Sequence, residues 1–189
     1  MKQTILSILV CTVTNRVQTF LPKIIKELSK QAEGKPVEIL YLGDNRTMSI
    51  GEKRNNLLLM ARGKYACFVD DDDRVSEDYV DMILEAAKND TDVIVFKAFR
   101  TQNGVDDREV IYNAKFQKDF NDEQYYYRLP NHLMPIKLDI LYNCFFKEIN
   151  YGEDADLARA IKPYIKTQAE INKVLYYYDF STELSESTR

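Results

Sequence analysis

Apolar runs alternate with amphipathic stretches along the first half of the chain. Four apolar runs have the length of buried strands: ILSILV, VEILYL, YACFV and DVIVFKAF. Three longer segments between them carry apolar residues at helical spacing: FLPKIIKELSKQAEG, SIGEKRNNLLLMARG and SEDYVDMILEAAKN. This alternation predicts the order β-α-β-α-β-α-β, which is typical of a parallel sheet with helices on its faces.

Residues that favour helix ends support the three helices. Pro22 is tolerated in a first helical turn, and Gly34 is expected to end the first helix. Ser49 and Glu52 have the spacing of a capping box at the start of the second helix. Ser76 is predicted to be the N-cap of the third helix.

The second half of the chain has a weaker pattern. Between residues 100 and 131, REVIY predicts a short hairpin strand and NDEQYYYR is ambiguous. Further on, HLMPIKL and KVLYYYDF predict strands, and EDADLARAIKPYI predicts a helix that Pro163 kinks or stops. We therefore predict one α/β domain over residues 1–189, with a Rossmann-like, mostly parallel central sheet and a small antiparallel element in its C-terminal half.

Composition narrows the classes of protein that fit. The 189 residues, 45% of them hydrophobic, suffice for one core and not for two full domains. A net charge of −4 gives no basic excess, so binding to nucleic-acid backbones or anionic membranes is not indicated. No segment approaches the roughly 18 apolar residues that span a bilayer. Cys11, Cys67 and Cys144 lack C-x-x-C spacing, which favours free thiols and a cytoplasmic location.

Polar residues collect where the predicted strands end. Residues 12–16 follow the first strand, residues 43–45 the second, and Asp70 to Asp73 the third. Arg54 shares a helical face with apolar residues near the start of the second helix. Because α/β sheets bind ligands outside the carboxyl ends of their strands, we expect a ligand site at this edge.

The four consecutive aspartates carry the strongest chemical signal. In an extended chain, Asp70 and Asp72 would point to one side, and Asp71 and Asp73 to the other. Two carboxylates that face a pocket form a hard-oxygen site for Mg²⁺ or Mn²⁺, which also takes oxygens from a substrate diphosphate. The alternative is a solvated acidic turn.

Glu153 and Asp154 form a second acidic pair, in the first turn of a predicted helix. Acids at this position suit the helix dipole and need no further role. The same position would also keep Asp154 ionised, as a general base requires, and Gly152 would let the backbone approach a ligand closely.

Taken together, the motifs resemble a known family. The stretch GEKRNNLLLMARGKYACFVDDDDRVSEDYV is similar to the core of the GT-A glycosyltransferases of family 2, which has an Arg-Asn helix, A-x-G-x-Y and a strand ending in D-x-D-D. SILVCTVTNR is similar to the first strand of that family, and LGDN is similar to its second-strand aspartate. YGEDADLARAI is similar to its Glu-Asp catalytic motif, and YYYDFSTELS to its C-terminal strand with a serine-containing loop. The order and spacing agree over nearly the whole chain.

The resemblance implies inverting transfer of a sugar from a nucleoside-diphosphate donor, with UDP favoured, to an acceptor hydroxyl. Residues 1–99 would bind the nucleotide sugar, and residues 100–189 would supply the acceptor side and the base. Asp154 would be that base with Glu153 beside it, and Asp72 and Asp70 would hold a Mn²⁺ or Mg²⁺ cofactor. The residues implied in binding the donor nucleotide are Thr12, Asn15, Arg16, Asp44, Arg54, Asp70 and Asp71. Of these, Asp44 would accept a hydrogen bond from the nucleobase, and Arg54 would hold the nucleobase or the diphosphate.

Some features depart from the family pattern. Thr14 stands where an aromatic residue is common, which leaves the uridine preference open. The only histidine, His132, lies on a predicted strand well before the C-terminal histidine by which some relatives bind metal, and we expect it to be structural. The metal ligands would then be Asp72, the diphosphate and water, or would include Asp179. The absence of tryptophan removes the Q-x-x-R-W motif of processive synthases, so we expect transfer of one or few sugars.

Two other functions stay open. A haloacid-dehalogenase-like phosphohydrolase ends a strand with D-x-D-x-[TV], which Asp71, Asp73 and Val75 satisfy, and Asp71 would be its nucleophile. Its motif normally ends the first strand, whereas here two strand-helix units precede it. A non-catalytic module would bind a nucleotide sugar without turnover. Residues 100–150 contain no motif that identifies an acceptor.

Overall fold

A computed structural model describes residues 3–180 of the chain. The ten strands within these residues are β1 (Leu6–Val13), β2 (Val37–Asp44), β3 (Tyr65–Phe68), β4 (Arg74–Val75), β5 (Val93–Gln102), β6 (Val105–Tyr112), β7 (Phe120–Asn121), β8 (Tyr125–Arg128), β9 (Ile136–Lys137) and β10 (Gln168–Phe180). The helices are α1 (Leu21–Ala32), α2 (Ile50–Met60), α3 (Tyr79–Ala87), α4 (Leu138–Leu141) and α5 (Glu153–Ile161).

The strands form one mixed sheet in the order β2-β1-β3-β9-β5-β6-β8-β7. Strand β1 lies parallel to both β2 and β3, and β10 runs parallel to β5 and antiparallel to β4. The two-residue strand β9 is antiparallel to β3 and β5 and lies between them. The predicted α/β fold, with a mostly parallel central sheet and an antiparallel element in the second half, is confirmed.

Burial follows from this order. Every residue of β1 is buried, as expected of a central parallel strand that is covered on both faces. Cys11, Cys67 and Cys144 are buried and free, as predicted from their spacing. Among the described residues, no helix is long and apolar enough to cross a membrane.

Two of the three predicted helix starts are confirmed. Pro22 lies in the first turn of α1, and the Ser49 hydroxyl accepts a hydrogen bond of 3.1 Å from the Glu52 amide at the start of α2. Gly34 follows α1 with a φ of 72°, which favours glycine.

The predicted N-cap of the third helix is wrong. Helix α3 begins at Tyr79, after Asp78, because the Ser76 hydroxyl donates to the Asp78 carboxylate at 2.9 Å and does not cap the helix. The Val80 amide in its first turn is satisfied from α1 instead, where Gln31 Oε1 accepts from it at 3.0 Å. A long-range contact has replaced the local cap.

Two strand predictions in the second half need correction. The segment HLMPIKL is mostly a turn, because the Leu133 and Met134 amides donate to the side chain and the carbonyl of Asn131, and the strand is limited to β9. Strand β10 begins earlier than KVLYYYDF predicts, at Gln168. Helix α5 ends at Ile161, before Pro163, as predicted. The predicted serine-containing loop at residues 181–189 lies outside the described residues.

Candidate functional site

A cavity of about 630 Å³ opens at the carboxyl ends of the central strands. Its wall includes residues from both halves of the chain. The predicted site residues that line it are Arg16, Arg54, Asp70, Asp71, Asp72, Glu153 and Asp154. Thr12, Asn15 and Asp44 do not line it, although Thr12 contacts Asp71 in its wall.

The four aspartates do not alternate as predicted. Asp70, Asp71 and Asp72 all line the cavity, and only Asp73 turns away from it. The reason is that β3 ends at Phe68 and the chain then turns, with the Asp73 amide donating to the Asp70 carbonyl at 3.2 Å. Side chains alternate only along an extended strand, so the rule does not apply here.

Asp73 has a structural environment. Its carboxylate is buried, and it accepts hydrogen bonds from the Tyr176 hydroxyl at 2.6 Å and from the Asp179 amide at 3.0 Å. Burial and the neighbouring Asp70 raise its pKa well above the usual range. Asp73 therefore joins the aspartate turn to β10.

Arg16 is the cation closest to the second and third aspartates. Its Nη1 donates to Asp71 Oδ1 at 2.8 Å, and its Nη2 pairs with the Asp72 carboxylate. Asp71 also accepts from the Thr12 hydroxyl at 2.6 Å. With a quarter of its side chain exposed, Asp72 is more accessible than Asp71, which is almost fully buried.

The pKa values of these carboxyls diverge. Burial raises the pKa of Asp71 to about 6 and also raises that of Asp72, against the opposing effect of Arg16. Burial acts in the same direction on Asp70, but His132 and Arg54 outweigh it and hold the pKa of Asp70 well below its usual range. Asp70 is therefore the most strongly ionised of the four.

Arg54 links the aspartates to the second acidic pair. It is buried, and its guanidinium lies 3.3 Å from an oxygen of Asp70 and 3.3 Å from an oxygen of Glu153. The rings of Phe68 and Phe146 each lie 5.4 Å from the guanidinium carbon. Two carboxylates thus engage the guanidinium that was predicted to contact the nucleobase or the diphosphate.

Asp44 lies apart from the cavity in a network of its own. It accepts from the Lys53 ammonium at 2.8 Å, from the Met48 amide at 2.7 Å and from the backbone and side chain of Thr47. These contacts outweigh the effect of burial and lower the pKa of Asp44. Sequence reasoning missed Lys53, although a lysine near a helix start opposes the dipole and indicates a specific partner.

Glu153 and Asp154 are the first residues of α5, as predicted. Glu153 is buried against Arg54, whereas Asp154 is partly exposed to the cavity. Gly152 precedes them with a φ of 81°, and a Cβ there would meet no atom within 4 Å. The position favours glycine because of its left-handed backbone and not because of a close approach.

Sequence reasoning missed most of the opposite wall. Arg100 and Arg128 line the cavity beside Tyr126, and the guanidinium carbons of Arg100, Arg108 and Arg128 lie 5.4, 4.0 and 5.1 Å from the centre of its ring. These residues come from β5, β6 and β8, where the hydrophobic pattern is weakest. His132, expected to be structural, also lines the cavity.

The chain belongs to glycosyl transferase family 2, since the sequence model of that family matches residues 3–147. The match ends before Glu153 and Asp154. No curated protein matches the sequence significantly. The predicted family resemblance is therefore confirmed for the larger part of the chain.

Solved structures of TarS from S. aureus share the fold. One matches with a TM-score of 0.72 and 16% identity, over 93% of this chain and 37% of that chain. TarS 1-349 in complex with UDP matches with a TM-score of 0.71 and 18% identity, over 95% and 61% of the two chains. The complex of TarS 1-349 with UDP-GlcNAc gives 0.67 and 16%, over 93% and 58%. The chain thus spans between 37% and 61% of the length of these structures.

Proposed function

We propose that the protein is a metal-dependent, inverting glycosyltransferase that moves a sugar from a UDP-sugar to an acceptor hydroxyl, adding one or few sugars. One observation carries the proposal: in this chain of family 2, Asp70, Asp72 and Asp154 line the same cavity. The TarS complexes with UDP and UDP-GlcNAc support the choice of donor.

The carboxylates fit a Mg²⁺ or Mn²⁺ ion that takes further oxygens from a diphosphate. Within residues 3–180, no group of three His, Cys, Asp or Glu side chains is arranged to hold a metal alone. Asp72 and Asp70 offer hard oxygens at the cavity wall, and the ligand set would be completed by the donor and water. Asp179, the other predicted ligand, also lines the cavity, and like Asp72 and Asp70 it is paired with an arginine, Arg74 at 2.6 Å. The bound ion would stabilise the leaving diphosphate.

The two halves of the chain have different roles in the proposal. Residues 1–99 bind the donor. The Arg16 guanidinium, which pairs with Asp71 and Asp72, would contact the diphosphate of that donor. Residues 100–189 supply the acceptor side. Asp154, partly exposed at the start of α5, removes the proton of the acceptor hydroxyl as it attacks the sugar. Glu153 holds Arg54 and thereby fixes the helix start against the aspartates.

The phosphohydrolase alternative is disfavoured by the surroundings of Asp71. A nucleophilic aspartate needs an ionised, accessible carboxylate. Asp71 is not accessible in this way, because it is buried and its two oxygens accept hydrogen bonds from Thr12 and from Arg16. The free buried cysteines support a reducing compartment, and we include a cytoplasmic location in the proposal.

The proposal is tested by calorimetry of UDP binding with Mn²⁺, with Mg²⁺ and with EDTA. We expect binding that depends on either ion, together with slow hydrolysis of a UDP-sugar. A phosphomonoester such as p-nitrophenyl phosphate is the control substrate, and no turnover is expected. Metal-independent UDP binding, or phosphatase activity that Asp71→Asn eliminates, would contradict the proposal. UDP-sugar binding without any hydrolysis or transfer would instead favour the non-catalytic module.

A further inference from the structure

His132 has an unusual environment for a histidine expected to be structural. Its side chain is 93% buried, since 7% remains exposed, and neither ring nitrogen has a hydrogen-bond partner. It lines the cavity, and its Nε2 lies 3.7 Å from Asp70 Oδ2, which is longer than a hydrogen bond. A buried polar group without a partner costs about 1–3 kcal/mol, so such groups call for an explanation.

The position of the imidazole is fixed by its backbone and by its ring. The Phe68 amide, at the end of β3, donates to the His132 carbonyl at 2.8 Å. The imidazole also packs at a tilt against the Phe68 ring, with 6.3 Å between the ring centres. The ring is therefore held at the cavity wall, with both of its nitrogens unpaired and shielded from bulk water.

The strand order indicates which part of the donor reaches His132. The turn that holds His132 precedes β9, which is the neighbour of β3 on the side opposite β1. Thr12 and Arg16, at the end of β1, contact Asp71 and Asp72 from the other side. In the proposed function residues 1–99 bind the nucleotide, with Thr12 and Arg16 on the β1 side, and we therefore expect the sugar on the side of His132.

We propose that His132 hydrogen-bonds a hydroxyl or amide group of the donor's sugar and so determines which sugar is bound. An imidazole always offers at least one N–H donor, from which an oxygen of the sugar can accept. This inference rests on the proposed function, because it needs a nucleotide sugar in the cavity. It changes His132 from a structural residue to a specificity-determining one.

The test compares UDP with UDP-glucose, UDP-galactose and UDP-GlcNAc by calorimetry in the presence of Mn²⁺. His132→Phe removes both nitrogens and retains an aromatic ring beside Phe68. We expect it to leave UDP affinity within about twofold and to weaken the preferred UDP-sugar at least tenfold, which corresponds to about 1.4 kcal/mol. His132→Gln, which retains a donor and an acceptor, should recover part of the loss. If His132→Phe does not fold, His132→Met removes the same nitrogens with a more adaptable side chain.

Three outcomes would overturn the inference. Unchanged affinity for every ligand would return His132 to a structural role. Equal losses for UDP and UDP-sugars would place the contact on the diphosphate. A loss of UDP affinity that a higher Mn²⁺ concentration restores would make His132 a metal ligand. If the wild-type protein binds neither UDP nor a UDP-sugar, the proposed function has failed and the inference fails with it, whereas the other outcomes leave wild-type binding intact.

Discussion

Arg54 lies between Asp70 and Glu153, with its Nη2 3.3 Å from Asp70 Oδ1 and its Nη1 3.3 Å from Glu153 Oε1. One buried guanidinium thus connects the aspartate turn after β3 to the start of α5. The two proposed functions of the cavity, donor binding and base catalysis, meet at this residue. Arg54 keeps its positive charge. Burial lowers its pKa, but the two carboxylates outweigh this effect, and the pKa is raised overall.

Replacement of Arg54 by methionine should strongly destabilise the fold. It leaves two acidic side chains without their buried cation, and the loss of one partner of a buried pair costs about 3–5 kcal/mol. Lys88→Met is the control, since the Lys88–Glu85 pair is 71% exposed on both sides and exposed pairs contribute about 0–1 kcal/mol. Urea unfolding measures both variants, and equal losses of unfolding free energy would contradict a central role for Arg54.

Asp72 and Asp73 should respond differently to substitution. Asp72→Ala removes an accessible cavity carboxylate, so we expect the loss of metal-dependent UDP binding with little change in melting temperature. Asp73→Ala removes the partner of the Tyr176 hydroxyl and the Asp179 amide, so we expect a lower melting temperature with metal-dependent binding retained. Calorimetry and thermal unfolding on the two proteins provide the measurement. The reverse pattern would show that Asp73 supplies the metal ligand.

Asp71 should make stability depend on pH in a predictable direction. Its pKa is raised from 3.8 to about 6, so the folded protein binds this proton more tightly than the unfolded chain. The resulting stabilisation is complete below pH 3.8 and is lost as the pH rises through about 6. Asp71→Asn cannot titrate, so relative to wild type it should become progressively more stable between pH 4 and pH 7.

The measurement for Asp71 is the unfolding free energy in urea, without metal, across this pH range. Asp81→Asn is the matched control, because the Asp81 side chain is 64% exposed. Its difference from wild type should change less with pH. A constant difference between Asp71→Asn and wild type would mean that Asp71 keeps its ordinary pKa.

Asp154→Asn separates catalysis from binding. The proposed loss of a general base lowers transfer by about 10²–10⁴-fold, while UDP affinity and melting temperature stay near wild type. Asp156→Asn is the control, because Asp156 lies in the same helical turn and pairs with Lys147 and Arg159. Hydrolysis of a UDP-sugar serves as the rate measurement. Near-normal rates in Asp154→Asn would remove the inverting mechanism from the proposal.

Local patterns in the sequence were sufficient to predict the first half of the fold. Apolar runs and helix-end residues identified β1, β2, β3 and β5 with the three helices between them, although not the two-residue strand β4. The rule for parallel sheets brought Arg54 and Asp70 to one edge before any contact was known. The alternation of the aspartates failed because no local signal showed that β3 ends at Phe68. The N-cap at Ser76 failed because Gln31, far along the chain, satisfies the Val80 amide.

Some of the missed site residues depend on contacts between different elements. Lys53 on α2 pairs with Asp44 at the end of β2, and Arg100 on β5 contacts the Tyr126 ring on β8, 26 residues further along the chain. The position of His132 at the cavity was not predicted, because its turn approaches Asp70 only when β9 pairs with β3. Spacing along a sequence does not encode such pairings.

Strand β9 also has a consequence for synthesis of the protein. Its two residues, Ile136 and Lys137, are the link between β3 and β5 in the hydrogen-bonded order of the sheet. Before these two residues are made, β1 to β3 have no backbone hydrogen bonds to β5 and β6, and β3 and β5 each have an unpaired edge. We expect such edges to bind other chains, so the growing chain is prone to aggregation at this stage.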